Sequence, residues 1–113
     1  MRPESAKLLT DALDAADAIG RFVRGLDFEA YRANELVRSA VERRFEIVGE
    51  ALAQLRQRDA AVASRVPEVD RIVAFRNLLI HRYADVDDRI VWSVVERSLP
   101  ALRNAIAVLL AEQ

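Results

Sequence analysis

The chain has 113 residues with 52% hydrophobic and 31% charged side chains, a composition typical of one globular domain spanning residues 1–113. It contains no cysteine and a single histidine, which excludes disulfides, thiolate metal sites and a zinc site built on several histidines of one chain. The net charge of −1 gives no global field for nucleic acid, so any contact with RNA would depend on local arginines.

The N-terminal part predicts an amphipathic helix over about residues 4–24, because apolar residues recur there at steps of three and four. We expect residues 26–33 to form a connection in which Asp27 caps a single helical turn. Two aromatic residues of this connection, Phe28 and Tyr31, are expected to pack on the helices rather than to stack on nucleic-acid bases.

Asn34 is a suitable N-cap for a second, long helix that runs to about Arg58. Gly49 interrupts this helix at a cost near ~1 kcal/mol relative to alanine, so we expect another helix to approach closely there. Glu46 and Glu50 share one face; they could hold a metal or transfer protons, but ion pairs with nearby arginines are the favoured interpretation. The apolar stripe is wide enough to suggest burial against both the bundle and a second subunit, and the residues that widen it are Leu36, Ala40, Ile47 and Ala51.

A short extra turn is predicted within residues 59–66, and a third helix is predicted to begin between Pro67 and Asp70. This helix should end near His81. Its apolar run, residues 78–80, is expected to be buried. The predicted core contacts of the helix are Ile72, Val73, Phe75, Leu79 and Ile80.

Residues 83–86 are predicted as a loop, after which Asp87 caps the last helix. Pro100 falls within that helix, yet the apolar stripe keeps its register on both sides of the proline. We therefore expect one bent helix, or two nearly collinear ones, with Trp92 as a packing residue. The predicted fold is an all-α, antiparallel, up-and-down four-helix bundle, counted as five helices if Pro100 divides the last one.

Arg76 and His81 mark the candidate site, because His81 is the only histidine and Arg76 lies five residues before it. Five helical residues correspond to about 140° around the axis and about 7.5 Å along it, so the two side chains would border one groove from two sides. A guanidinium suits a phosphate, and an imidazole can move protons near neutral pH. The alternative is structural: His81 could cap the helix end and Arg76 could be a solvated surface residue.

Cleavage of RNA without a metal needs a base for the 2′-hydroxyl, a stabiliser of the phosphate charge and an acid for the leaving oxygen. One chain offers only one histidine. Two copies of His81 and Arg76 across a two-fold axis would supply the full set, so a ribonuclease of this sequence should be a homodimer.

Three segments of the chain resemble the HEPN domains found in HepT-like toxins. Residues 76–83 match the signature R-x4-H-x-Y. Residues 43–51 resemble the R-x-E-x-I-G-E-A segment of the family's second helix, and residues 85–92 resemble the v-D-x-x-i-v-W opening of its last helix. Residues 99–102 also fit, so that the resemblance spans essentially the whole chain.

The resemblance implies a metal-independent endoribonuclease toxin with an HEPN bundle whose motif helices face each other in a dimer. It implies that Arg76 and His81 are the active residues, supported by Asn77, and that no cofactor is needed. It also implies a partner, a minimal nucleotidyltransferase antitoxin, that silences the toxin by adenylylating Tyr83. A non-catalytic helical module that binds a nucleotidyltransferase or a nucleotide remains the alternative.

The sequence also indicates where such a protein would act. There is no signal-peptide pattern, and the longest apolar run, residues 105–111, is too short to span a bilayer. We therefore expect a cytoplasmic protein that acts on RNA, with neither DNA nor a membrane as a partner.

Overall fold

The computed structural model describes residues 1–112, which form helices joined by short connections and contain no strand. None of these helices is both long and apolar enough to cross a membrane. The prediction of an all-α fold is therefore confirmed. The helices are α1 (Pro3–Phe22), α2 (Phe28–Ala33), α3 (Glu35–Arg58), α4 (Ala60–Ala63), α5 (Val69–His81), α6 (Asp88–Ser93) and α7 (Leu99–Ala111), with a π-helical turn, Val94–Ser98, between α6 and α7.

Short polar side chains begin the helices where the sequence predicts them. Asp27 accepts a hydrogen bond from Ala30 N at 2.8 Å, and Asn34 accepts one from Val37 N at 3.0 Å. Asp87 accepts from the nearby backbone in the same way, at 2.9 Å. Each cap satisfies an N–H group that has no partner inside its own helix, so these local signals fix the starts of α2, α3 and α6.

The long helices run antiparallel, as their ion pairs show. Arg56 near the end of α3 meets Asp70 near the start of α5 at 2.7 Å. Arg103 of α7 meets Asp17 of α1 at 2.8 Å. At the same end of the bundle as the Arg56–Asp70 pair, Arg2 before α1 donates to the carbonyl of Arg58 at the end of α3. The result is the predicted up-and-down arrangement, with α3 between α1 and α5.

Aromatic side chains fill the end of the core that lies nearest the candidate site. Tyr31 is fully buried and its ring lies 5.1 Å from that of Trp92, and the rings of Phe45 and Phe75 meet edge to face at 5.2 Å. Phe28 is half-buried under the guanidinium of Arg89, 4.5 Å from its ring centre. The expectation that Phe28, Tyr31 and Trp92 pack on the helices is confirmed.

The predicted burial of Ile80 is wrong, since this residue is 41% exposed although it was expected in the core. Leu36, which was expected to widen the apolar stripe toward the bundle or a second subunit, is 81% exposed in the single chain. The run of residues 78–80 is not buried as a whole, because only Leu79 faces the interior and Leu78 is 36% exposed. Consecutive helical residues are about 100° apart, so a helix that packs on one side cannot bury three in a row.

Pro100 sits in the first turn of α7, directly after the π-helical turn. Because proline has no N–H, it cannot donate to a carbonyl one turn earlier. The preceding backbone widens instead, and Leu99 N donates to Val94 O. Helical structure continues through the proline without a loop, which confirms that the chain does not reverse there.

The start of α1 is tied to the start of α4 by Ser5 and Asp59. The buried Ser5 hydroxyl donates to Asp59 at 2.6 Å, and Arg2 lies 3.6 Å from the same carboxylate. The Ser5 hydrogen bond holds the pKa of Asp59 below its usual value, and the backbone N–H of Val62 acts in the same direction. A lowered carboxyl pKa stabilises the fold above the ordinary pKa of aspartate, and this contribution is lost as the pH falls through the lowered value.

Helices α3 and α5 come closest at Gly49. A Cβ atom at residue 49 would overlap Arg76 Cβ, would lie 2.6 Å from Arg76 Cγ and would be 3.5 Å from Ile72 O. The stem of Arg76 therefore occupies the space that a side chain at residue 49 would need. The expectation that Gly49 permits close approach of another helix is confirmed, and that helix is α5.

We predict that Gly49→Ala destabilises the protein by up to about 2 kcal/mol. The gain of about 1 kcal/mol in helix propensity is outweighed by the overlap with Arg76, because overpacking typically costs about 1–3 kcal/mol. Gly20→Ala is the matched control, since nothing lies within 4 Å of a Cβ there, and it should leave stability unchanged or raise it. Urea unfolding of the three proteins measures both effects; stabilisation of similar size in both variants would contradict the close contact.

Candidate active site

The candidate site occupies the exposed side of the last turns of α5. His81 is the last residue of this helix, and Arg82 N donates to Leu78 O at 2.9 Å to close its end. A basic residue in a last turn interacts favourably with the helix dipole, so the location itself suits His81. His81 is exposed, which leaves its ring open to the solvent.

Asn77 and His81 are four residues apart on this helix and therefore lie on the same exposed face. Arg76 borders that face from the side on which α5 packs against α3. It is half-buried, with 23% of its side chain exposed. The spacing of about 140° between Arg76 and His81 is thus realised on a continuous helix.

Arg76 is held by contacts from two helices. Its Nη1 donates to Asn77 Oδ1 at 2.6 Å, and its Nη2 forms an ion pair with Glu50 Oε2 of α3. Its Nε is buried and has no hydrogen-bond partner among residues 1–112. The guanidinium carries five N–H groups in a fixed plane. One N–H on each of Nη1 and Nη2 is consequently left for another acceptor.

The two glutamates singled out in the sequence both form ion pairs with arginines. Glu46 lies 3.5 Å from Arg43 on the same helix, and Glu50 pairs with Arg76 across helices. The favoured interpretation of these carboxylates is therefore confirmed. Within residues 1–112, no three His, Cys, Asp or Glu side chains converge in a way that could hold a metal ion.

Glu42 lies one helical turn before Glu46 and adds a third carboxylate to this side of α3. Burial raises the pKa of Glu42, and the negative charge of Asp88 raises it further, while Arg38 opposes the shift. Burial also raises the pKa of the neighbouring Tyr31. Glu42 and Tyr31 thus lie in a partly buried, negatively charged environment to which Asp88 contributes.

Tyr83 lies in the connection after α5 and is 81% exposed. The connection turns back through a hydrogen bond from Asp85 N to Arg82 O at 2.8 Å. Tyr83 is therefore accessible, and it lies beside the exposed end of the motif helix. Its suggested role as a modification site stays a prediction.

One surface cleft lies beside the motif but does not include it. A cleft of about 360 Å³ between α1 and α3 is lined by Glu46, Glu50 and Arg43, but not by Arg76 or His81. Ligand sites are usually concave, whereas His81 stands on an exposed helix end. A second surface would be needed to enclose a substrate around these two side chains.

The structure adds one site residue that sequence reasoning did not assign, namely Glu50 as the partner of Arg76. In the sequence, Glu50 was one of two carboxylates on a helix face and part of the family-like segment 43–51, with no partner assigned to it. The adjacent Gly49 is the feature of the sequence that points to this pair. It indicates that another helix comes close, but not which helix.

Comparison with known proteins assigns the sequence of this chain to a family. The family described as "Ribonuclease HepT-like" matches residues 12–109. A Methanocaldococcus jannaschii protein named "Putative RNase MJ1380" is 29% identical over 100 residues, which cover 88% of this chain and 91% of that protein. No solved structure gives a significant match.

Two further relatives cover most of both chains. "Probable ribonuclease HepT" of Thermococcus cleftensis is 29% identical over 104 residues, or 92% of this chain and 94% of its own. "Putative RNase TTE0752" of Caldanaerobacter subterraneus is 31% identical over 91 residues, or 80% of each chain. Because the family match covers residues 12–109, far more than half of the sequence, this chain belongs to the HepT-like ribonuclease family.

Proposed function

We propose that this endoribonuclease is the toxin of a toxin–antitoxin pair, that it cuts RNA without a metal at a site shared by two copies, and that adenylylation of Tyr83 silences it. Membership of a ribonuclease family supports RNA as the substrate. Arg76 and His81 are the residues that carry the reaction, and Asn77 supports Arg76. Such an enzyme acts on cytoplasmic RNA.

The observation that carries the proposal is the way in which neighbouring side chains hold the guanidinium of Arg76. The guanidinium is fixed by Glu50 and Asn77 but keeps one N–H on each terminal nitrogen. A guanidinium can donate two N–H groups to two oxygens of a phosphate. The proposal is that Arg76 binds the phosphodiester with these groups, on the same helix as the exposed His81.

In the proposed reaction, neutral His81 removes the proton from the 2′-hydroxyl of the RNA. The 2′-oxygen then attacks the adjacent phosphorus, and the bond from phosphorus to the 5′-oxygen of the next nucleotide breaks. Arg76 stabilises the negative charge that develops on the non-bridging oxygens. The departing 5′-oxygen receives a proton from the protonated His81 of the second copy, so the products are a 2′,3′-cyclic phosphate and a 5′-hydroxyl.

A second copy is proposed because one copy leaves both the chemistry and the surface incomplete. Each chain provides one histidine, whereas the reaction needs a base and an acid. Leu78 and Ile80 expose apolar surface on the same helix as the site. Burying that surface against a second α5 would bring the two motifs together and enclose the substrate.

Loss of either reactive side chain should abolish cleavage. We expect His81→Ala and Arg76→Ala each to lower the rate on the order of 10²–10³-fold or more, because each removes a group that acts in the transition state. Arg71→Ala is the control, since it also removes an arginine from α5 but one that is 80% exposed and paired with Glu68. RNA cleavage is followed on a gel in the presence of EDTA.

The same assay distinguishes the alternatives. Products ending in 2′,3′-cyclic phosphate support the mechanism, whereas inhibition by EDTA that magnesium reverses would falsify it. A pure protein that binds a nucleotidyltransferase or a nucleotide but cleaves no RNA would be the non-catalytic helical module instead.

We predict a homodimer in solution that forms through α5. Ile80→Glu should shift the mass measured by light scattering toward that of a monomer, because it places a charge in the proposed interface. Val108→Glu is the control, since Val108 is also exposed, at 59%, but lies on α7. A monomeric wild type at micromolar concentration, or dissociation by both substitutions alike, would count against this interface.

Tyr83 is proposed as the regulatory site because it is exposed and lies two residues beyond His81. A minimal nucleotidyltransferase would transfer AMP from ATP to its hydroxyl, forming a phosphodiester and releasing pyrophosphate. The new phosphate would lie near the basic groups that receive RNA, where its negative charge repels the substrate backbone. The adenosine would in addition block access to the site.

Adenylylation should add the mass of AMP to Tyr83 when the chain, a cognate nucleotidyltransferase and ATP are combined. The only other tyrosine, Tyr31, is fully buried and provides an internal control that should stay unmodified. Tyr83→Phe should remain active and escape silencing. Intact-mass and peptide mass spectrometry measure the modification; equal silencing of Tyr83→Phe by the same partner would refute the switch.

A further inference from the structure

We infer that Glu50 is a positioning residue for the guanidinium of Arg76, and that it sets the orientation in which this group meets the phosphate. The inference rests on the proposed function and names a residue of α3 that lies outside the R-x4-H-x-Y signature of residues 76–83. It follows from the contacts around Arg76. The aliphatic part of the side chain, its stem, has little freedom, whereas the guanidinium, its head, is held by only two hydrogen-bonding partners.

The stem of Arg76 is fixed first. Its Cβ and Cγ fill the space above Gly49, so the side chain leaves α5 along the surface of α3. Only 23% of the side chain is exposed. An arginine side chain has much rotamer freedom when it is solvated, and this packing removes most of it from the stem.

The head of the side chain is fixed by Glu50 and Asn77. Asn77 is the next residue along α5 and holds Nη1 at 2.6 Å from its Oδ1. Glu50 belongs to α3 and holds Nη2 from the other side. Two acceptors on different helices define the rotation of the guanidinium plane, whereas Asn77 alone would leave it free to turn about one hydrogen bond.

The unused N–H groups then have a defined direction. Nε is buried, so it is unavailable to a substrate, and each terminal nitrogen has given one N–H to the protein. Only the two remaining N–H groups can meet a phosphate. A turn of the guanidinium would redirect both of them, and small displacements of a positioned group can cost about 10²-fold in rate.

Glu50 could instead compete with the phosphate for Arg76, which would make it an inhibitor of the reaction. Its side chain is 48% exposed, so the solvent screens its charge and weakens any repulsion of the substrate. A hydrogen bond from Nη2 does not need a full charge on its acceptor, so screening weakens it less than it weakens the repulsion. We therefore infer positioning rather than competition. Removal of Glu50 lowers the rate of cleavage if Glu50 positions Arg76 and raises it if Glu50 competes with the phosphate.

The kinetic test uses Glu50→Ala, Glu50→Gln and the matched control Glu46→Ala in the full chain. Glu46 lies one turn away on the same face and pairs with Arg43, not with Arg76. We expect Glu50→Ala to lower kcat about tenfold to 10²-fold with a smaller change in KM. Glu50→Gln should recover part of the loss, because its amide oxygen can accept the same hydrogen bond. An unchanged or raised kcat in Glu50→Ala overturns the inference.

A second measurement does not depend on cleavage. In ¹⁵N-edited NMR spectra, the buried Arg76 Nε–H should exchange slowly with water in the wild type. Glu50→Ala should accelerate this exchange at least about tenfold, while Glu46→Ala leaves it unchanged. Equal exchange in all three proteins overturns the inference. Slow exchange that depends on Glu50 in a protein without ribonuclease activity supports the positioning contact and refutes the proposed function separately.

Discussion

The close approach of α3 and α5 at Gly49 determines the position of the Arg76 side chain, whose guanidinium is the candidate phosphate-binding group. Helix pairs in which both partners carry side chains at the contact keep their axes about 8–10 Å apart. At Gly49 one partner contributes no side chain, and the Arg76 stem occupies the resulting space. Arg76 is therefore both a packing residue and a candidate functional residue. Because its stem is packed in the helix contact, the movement of its guanidinium is restricted.

This arrangement has an electrostatic cost that the surrounding residues offset. Packing the stem against α3 buries Nε without a hydrogen-bond partner among residues 1–112, which is unfavourable for a charged group. Glu50 and Asn77 restore two hydrogen bonds to the terminal nitrogens. A free arginine on the surface would avoid the cost, but it would also sample many orientations. Sites held in spite of such a cost are a recurring feature of functional residues.

Much of the fold could be predicted from the sequence because its signals are local. Asp27, Asn34 and Asp87 each cap a helix through a backbone N–H two or three residues away, so the cap and its target are read together. The direction in which a helix faces is not local. Ile80 was placed in the core by its hydrophobicity, yet the packing of α5 turns it outward.

The candidate site shows the same division between local and distant information. Arg76, Asn77 and His81 could be selected from one short stretch, since their relation depends only on helical geometry. The partner of Arg76 could not, because Glu50 is 26 residues away and the pairing depends on how two helices align. Gly49 indicated that a helix comes close but carried no information about its identity. Pairings between elements are set by the assembled core and not by any single segment.

In the proposed dimer, the exposed side chains of Leu78 and Ile80 would form the contact between the two chains close to the candidate reactive residues. Leu78 and Ile80 lie between Arg76 and His81 in the chain, so an apolar contact through these two side chains would bring the polar groups of two chains near each other. Tyr83 lies at the edge of that same surface. In the proposed dimer, a charge added there would act on the groove that the second copy completes, with no change in the fold. The last turns of α5 and the connection after it thus carry the exposed apolar side chains, the candidate reactive groups and the exposed tyrosine.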